Sequence, residues 1–298
     1  MLKVEKISKS YGNNLAVNDL SFVVERGEIF GLLGANGAGK TTTFRMIMGL
    51  LDPDSGYITL DGKPIDYGVT DNIGFVTEER SLLTKMTVKE QVIYYGILKG
   101  MVEEEILEKL DWWLKKFQIQ DYKNRKIKEL SKGNQQKIQF ISAVIHEPKL
   151  LILDEPFTGL DPINVKLFQD AIYELQKQGC SIIFSSHQME HIEMFCEKLI
   201  ILVKGKVVLA GYLKDIKKEY RKKNIKLVGD IDLVELKKIP GVLAVNALAN
   251  EYEIKIREEE VAYEVFKKIS KYKVSKFVIE EPSLSEIFIA KVGEKYGE

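Results

Sequence analysis

The sequence predicts an α/β domain that carries a helical insertion and an antiparallel β subdomain, followed by a small α+β domain of ferredoxin-like type. Two observations carry this reading. From Gly27 to about Gly211, short apolar runs alternate with helical patterns. After Gly211 the chain turns to a charged stretch and then to shorter strand and helix patterns. The expected domains are residues 1–213, with the insertion at about 78–146, and residues 214–298.

The elements follow in chain order. "MLKVEKIS" and "GYITLDGKPI" alternate polar and apolar residues and read as antiparallel ribbons at one side of the domain. "GEIFGLLG", "IGFVTE", "KLLILDE", "SIIFSSH" and "LIILVKG" read as strands. Their continuous Ile, Leu and Val content suits a parallel sheet buried on both faces and flanked by helices. Between Glu78 and His146 the pattern is helical. "TVKEQVIYYGILKGM" opens with Thr87 and Glu90 at capping-box spacing. "EEEILEKLDWWLKKF" places Ile106, Leu107, Leu110, Trp113, Leu114 and Phe117 on one helical face, which makes them core residues. "KDIKKEYRKKNIK" reads as a linker or helix with a solvated face. The tail reads strand (225–228), helix (232–238), strand (242–248), strand (252–257), helix (258–271), strand (274–280), the order of a split βαβ fold. A last helix follows Pro282, with Ser283 and Glu286 as its capping box.

Bulk properties bound the function. The 298 residues hold 45% hydrophobic side chains, enough to fill a core. The 44 basic and 44 acidic residues cancel, so there is no electrostatic case for bulk nucleic-acid binding. Cys180 and Cys196 lack metal-like spacing and imply a reducing compartment. The N-terminal stretch has no apolar signal core. No apolar run reaches the ~20 residues a membrane span needs; Lys204 and Lys206 break the nearest. The expectation is a cytoplasmic chain that meets a membrane only through a partner.

Four stretches carry chemistry. "GANGAGKT", Gly34 to Thr41, fits G-x-x-x-x-G-K-[ST] between a strand and a helix. Gly34, Asn36, Gly37, Ala38 and Gly39 lie in a loop whose N–H groups can point at phosphate oxygens, and Thr42 continues it into the helix start. Lys40 reaches the β- and γ-phosphates, and the Thr41 hydroxyl is placed to ligate Mg²⁺. The loop by itself indicates binding of a nucleoside triphosphate. "LLILDEP" ends a buried strand on Asp154, a Mg²⁺ ligand, and Glu155, a candidate general base for an attacking water. His187 ends "SIIFSSH" at the same rim, where it can contact the γ-phosphate. "HQMEH", His187 to His191, also matches an H-x-x-E-H zinc pattern, although no third ligand is evident. His146 and His191 otherwise read as surface or structural residues. "LSKGNQQK", Leu130 to Lys137, opens a helix on Ser131, a good N-cap, and forms a second potential anion cradle.

Together these residues resemble the ATP-binding-cassette ATPases over about Met1 to Gly211. "LSKGNQQK" is similar to the family's signature motif, "GLDP" at Gly159 to Pro162 to its D-loop, and "SSH" to its switch-histidine segment. Tyr11 occupies the place of the aromatic residue that stacks on adenine. The resemblance implies an ATPase working with ATP and Mg²⁺. It also implies two cassettes meeting head to tail, so that Ser131 and Gly133 of one grip the γ-phosphate bound to Lys40 of the other. The chain departs from the pattern at Lys132, Asn134 and Glu78. Glu78 stands where the family has a glutamine that contacts Mg²⁺ and water; it reads equally as a metal ligand or as a plain loop acid. The tail, "EPSLSEIFIAKVGE", resembles the C-terminal extension of bacterial exporter cassettes, which pair with separate membrane permeases. The implied partners are a second cassette subunit, identical or not, and an integral membrane permease, with the chain peripheral on the inner face of the membrane. A soluble cassette ATPase acting on ribosomes or DNA is the alternative. One cassette and no sustained heptads weigh against it. The intact Lys40, Asp154, Glu155 and His187 weigh against an inactive binding module.

Overall fold

The computed structural model describes residues 1–220 and 222–296. They fall into two compact units, Met1–Ala210 and Gly211–Glu298.

In the first unit, β1 (Leu2–Tyr11) and β2 (Asn14–Val24) form a hairpin. Next come β3 (Ile29–Leu33) and α1 (Lys40–Ile47), then β4 (Ser55–Leu60), the short β5 (Lys63–Pro64), α2 (Tyr67–Thr70) and β6 (Ile73–Val76). Three helices follow: α3 (Val88–Leu98), α4 (Glu103–Lys116) and α5 (Lys132–Val144). The unit continues through β7 (Leu150–Asp154), α6 (Pro162–Lys177), β8 (Ser181–Ser186), α7 (Met189–Phe195) and β9 (Lys198–Val203), and β10 (Lys206–Tyr212) follows.

Two sheets organise the first unit. The antiparallel one runs β2-β1-β4-β5. The other runs β10-β9-β3-β8-β7-β6, and the pairs from β9 to β6 are parallel. Between the sheets lies a core containing Leu2, Leu20, Phe30, Leu32, Phe44 and Ile152. The parallel register sets the functional rim. Leu33 pairs with Ser186, Ser185 with Asp154, and Leu153 with Val76. The segments that follow β3, β6, β7 and β8 therefore leave the sheet side by side, at the carboxyl edge where open α/β sheets bind ligands.

The insertion follows local rules. Thr87 and Glu90 cap α3 reciprocally: the Glu90 N–H donates to Thr87 Oγ at 3.2 Å, and the Thr87 N–H donates to the Glu90 carboxylate at 2.8 Å. α4 has Glu103, Glu104 and Glu105 in its first turn and Lys115 and Lys116 in its last, complementing the helix dipole. Its face with Ile106, Leu110, Trp113 and Leu114 is buried, and Leu107 is half-buried. Phe117 just beyond it packs edge-on against Phe140 of α5 and at a tilt against Phe168 of α6.

Two strands escape the sequence reading. β2 carries Asn18 and Asp19 and shifts register against β1, so its alternation is irregular. β10 lies beyond the run Leu199–Gly205 read as a strand, which ends as β9, because Lys204 and Gly205 adopt φ 49° and 76° and turn the chain back into a further strand.

The second unit contains α8 (Leu213–Glu219), β11 (Lys223–Gly229), α9 (Leu233–Lys237), β12 (Val242–Ala247), β13 (Tyr252–Ile256), α10 (Glu260–Ile269), β14 (Val274–Glu280) and α11 (Leu284–Tyr296). The sheet order β12-β13-β11-β14 is antiparallel throughout, so β13 separates β11 from β12, as the split βαβ pattern requires. Ile225, Leu227, Ile254, Val265 and Ile269 form its core. Ser283 and Glu286 cap α11 reciprocally. The Glu286 carboxylate also accepts from Lys255 and, at 2.7 Å, from Asn224.

Candidate active site

The loop between β3 and α1 is shaped by close backbone approaches. A Cβ on Gly34 would sit 2.6 Å from Ala38 Cβ, and one on Gly39 would sit 2.5 Å from the Ala16 carbonyl oxygen. Gly37 adopts φ 81° and Gly39 φ 107°, the left-handed region open to glycine. The turn leaves Asn36 and Gly37 exposed and buries Ala38, Gly39 and Lys40. Lys40 is only 7% exposed, and its Nζ donates to the Gly34 carbonyl at 2.5 Å, spanning the loop it belongs to. Thr41 is exposed, Thr42 half-buried, and Thr43 fully buried with its hydroxyl donating to the Gly39 carbonyl at 2.9 Å. The start of α1 has no side-chain cap, so its first N–H groups remain available to an anion.

Across the rim, Asp154 and Glu155 are each 6% exposed. Ser185 donates its hydroxyl to Asp154 at 2.5 Å, and Ser186 donates to Glu155 at 3.3 Å. Burial raises the Asp154 carboxyl above the ordinary carboxylate range; Ser185 and Lys40 oppose that, while Glu155 and Glu78 add to it. Glu155 adopts φ 50°, uncommon for a side-chain-bearing residue, and its N–H donates to the Ser185 carbonyl at 3.2 Å. Its second oxygen, Oε1, is buried and accepts no aligned hydrogen bond, though His187 Nδ1 lies 2.8 Å away. His187 is half exposed, whereas the His191 ring packs edge-on against Phe157 at 5.1 Å. The two imidazoles thus go to different partners, and the described residues contain no cluster of three or more metal-ligating side chains.

These residues fit Mg²⁺ and a triphosphate together. Mg²⁺ keeps several waters and is held by one or two carboxylates plus substrate phosphates, not by a closed protein cage. A buried carboxylate with a raised pKa, a hydroxyl at a helix start and a buried lysine supply that set. Serine residues 185 and 186 were not singled out in the sequence; their signal was the parallel register that brings Ser185 opposite Asp154. Tyr11 ends β1 and is exposed. Glu78, also exposed, follows β6 at the same rim.

The second cradle is built differently. Ser131 caps α5, its Oγ accepting from the Asn134 N–H at 3.3 Å. Both Ser131 and Lys132 are exposed. Gly133 faces Asn164 of α6; a Cβ there would meet Asn164 Nδ2 at 3.4 Å, an unstrained distance. Asp161 caps α6 by accepting from the Asn164 N–H at 2.9 Å, and Pro162 occupies the first turn.

The family model described as "ABC transporter" matches residues 17–158, and a second, "ATP-binding protein DrrA1-3-like, C-terminal domain", matches residues 211–292. The ABC transporter ATP-binding protein YhaQ of Bacillus subtilis is 50% identical over 297 residues, covering 99% of this chain and 100% of that protein. The chain belongs to the ABC transporter ATP-binding proteins. It is an ATPase subunit of an ABC transporter, and ATP is its nucleotide. The linearmycin resistance ATP-binding protein LnrL of Bacillus subtilis is 35% identical over 219 residues, covering 72% of this chain and 70% of that protein. A solved structure, the dimeric post-hydrolysis state of the ATP-binding cassette MJ0796 bound to ADP and Pi, matches with a TM-score of 0.65 at 25% identity, covering 72% of this chain and 99% of that chain. The cassette-plus-extension organisation and the P-loop ATPase fold expected from the sequence are the ones found.

Proposed function

We propose that this chain powers an exporter, and that two copies close head to tail on Mg²⁺-bound ATP. The observation that carries the head-to-tail arrangement is the contrast between the cradles. The start of α1 meets Lys40, Asp154 and Glu155 of its own chain. The start of α5 presents an exposed Ser131 whose hydrogen bond stays within its own helix. The dimeric cassette among the solved relatives supports it.

In this reading the α1 N–H groups and Lys40 bind the phosphates, Tyr11 stacks on the adenine, and Thr41 and Asp154 hold the Mg²⁺, with Glu78 beside them. Mg²⁺ bound with the triphosphate supplies charge neutralisation there. Glu155, its Oε1 free to accept, takes the proton of the attacking water, and His187 beside it steadies that water. Ser131 and the Gly133 N–H of the second copy complete the γ-phosphate contacts. Once the phosphate has left, nothing bridges the two faces and they part. None of the helices among the described residues is long and apolar enough to cross a membrane. The work is therefore done through a permease docked on the insertion between Glu78 and about Gly100, with the chain on the inner membrane face.

The exporter reading draws on the relative named for linearmycin resistance and on the C-terminal match. Affinity capture of the chain from solubilised membranes tests it. The expected result is a stoichiometric integral membrane protein; recovery with ribosomes instead would favour the soluble alternative.

A further inference from the structure

Gln139 lies about two turns into α5 from Ser131, on the same rigid helix. It is 5% exposed. Its amide nitrogen donates to the Thr77 hydroxyl at 2.8 Å, the Thr77 carbonyl at 3.1 Å and the Glu79 carbonyl at 3.3 Å. Three oxygens around one end fix which end carries the hydrogens, because only the NH₂ can serve them. The Gln139 oxygen is buried without a partner, so the residue is held there for its donor. Thr77 extends the tie by donating its hydroxyl to the Glu79 carbonyl at 2.5 Å and sharing a 3.2 Å contact with Ser81.

The residues gripped, Thr77 and Glu79, stand on either side of Glu78. Val76 pairs with Leu153 in parallel register, so Glu78 leaves the sheet next to Asp154 and Glu155. Packing does little to hold this loop. Glu78, Glu79 and Arg80 are exposed, and Thr77, Ser81 and Gln139 border a cavity of about 370 Å³.

We propose that Gln139 is a positioning residue for ATP hydrolysis: from the middle of the signature helix it fixes the backbone on both sides of Glu78 and holds that carboxylate at the Asp154–Glu155 rim. Displacement of α5 at its Ser131 end is thereby passed to Glu78. The inference rests on the proposed role of Glu78 in the site.

The test is a double-mutant cycle in the purified full chain. Gln139→Met keeps the side-chain length and removes the donor; Gln139→Glu sets a carboxylate against three oxygens. Both are expected to lower kcat about tenfold or more while MgATP affinity stays within about twofold. In a Glu78→Ala background, adding Gln139→Met is expected to change kcat by less than about twofold, because the side chain it positions is already gone. If Gln139→Met does not fold, Gln139→Asn, which keeps the donor but shortens its reach, takes its place. Equal losses in both backgrounds, losses that track only the melting temperature, or full activity of Glu78→Ala would each overturn the proposal. An unsubstituted chain that turns over no ATP would overturn the reading beneath it and the proposal with it.

Discussion

The helices α1 and α5 both begin with N–H groups free to bind an anion, yet their surroundings are opposite. α1 starts in a loop where a Cβ on Gly34 or Gly39 would collide with backbone, over a buried Lys40 and opposite two buried carboxylates. α5 starts on an exposed serine, and its glycine tolerates a Cβ at 3.4 Å. A helix N-terminus supplies only partial charge. In the proposed reading, the full charges that its own chain sets around it would make the first a catalytic centre. The second has no such complement, and in the same reading it would act only when another molecule brings the phosphate.

Substitutions that separate the two cradles test this contrast. The largest effect is expected at Lys40: Lys40→Ala should lower kcat/KM for ATP by about a hundredfold to a thousandfold, and nucleotide binding should weaken with it, as measured by phosphate release and by titration. Ser131→Ala should lower turnover about tenfold while ATP binding to the isolated chain stays unchanged. The lost cap should cost about 1 kcal/mol of stability, visible as a small fall in Tm. Equal losses of binding at both positions would erase the distinction.

A third test concerns stability. Because burial raises the folded-state pKa of Asp154, its contribution is present below the ordinary carboxylate range and lost as the pH rises through the raised value. Asp154→Asn should therefore raise the Tm of the nucleotide-free chain at neutral pH, have no effect near pH 4, and abolish ATP turnover. The smallest effect is expected at His146, away from both cradles, whose pKa is pushed down to about 4 by burial and by Lys99. Its contribution is present above the ordinary pKa of 6.5 and lost as the pH falls toward 4. His146→Gln should flatten the acid limb of the stability curve in that window, where one proton accounts for up to about 1.4 kcal/mol per pH unit.

Most of the first cradle was legible because its chemistry is local. The glycine spacing with Lys40 is one contiguous stretch, and the buried strand ending in two acids is another. The capping boxes at Thr87 and Ser283 were legible for the same reason. What the sequence hid depends on register and on distant pairing. Ser185 meets Asp154 only because β7 and β8 run parallel in that alignment. Gln139 grips Thr77 across 62 positions and looks like one more polar residue in a helix. β2 was hidden by its own irregularity, since bulges break the period on which strand reading depends.

The central claim is that the α5 cradle of one copy closes on the ATP held by the α1 cradle of another. Light scattering on the Glu155→Gln chain, with and without MgATP, tests it most directly. The account predicts that ATP converts the 34.0 kDa chain into a dimer and that Ser131→Arg in the same chain prevents this. A species that stays monomeric with saturating ATP at every concentration, or a dimer indifferent to Ser131→Arg, would contradict it.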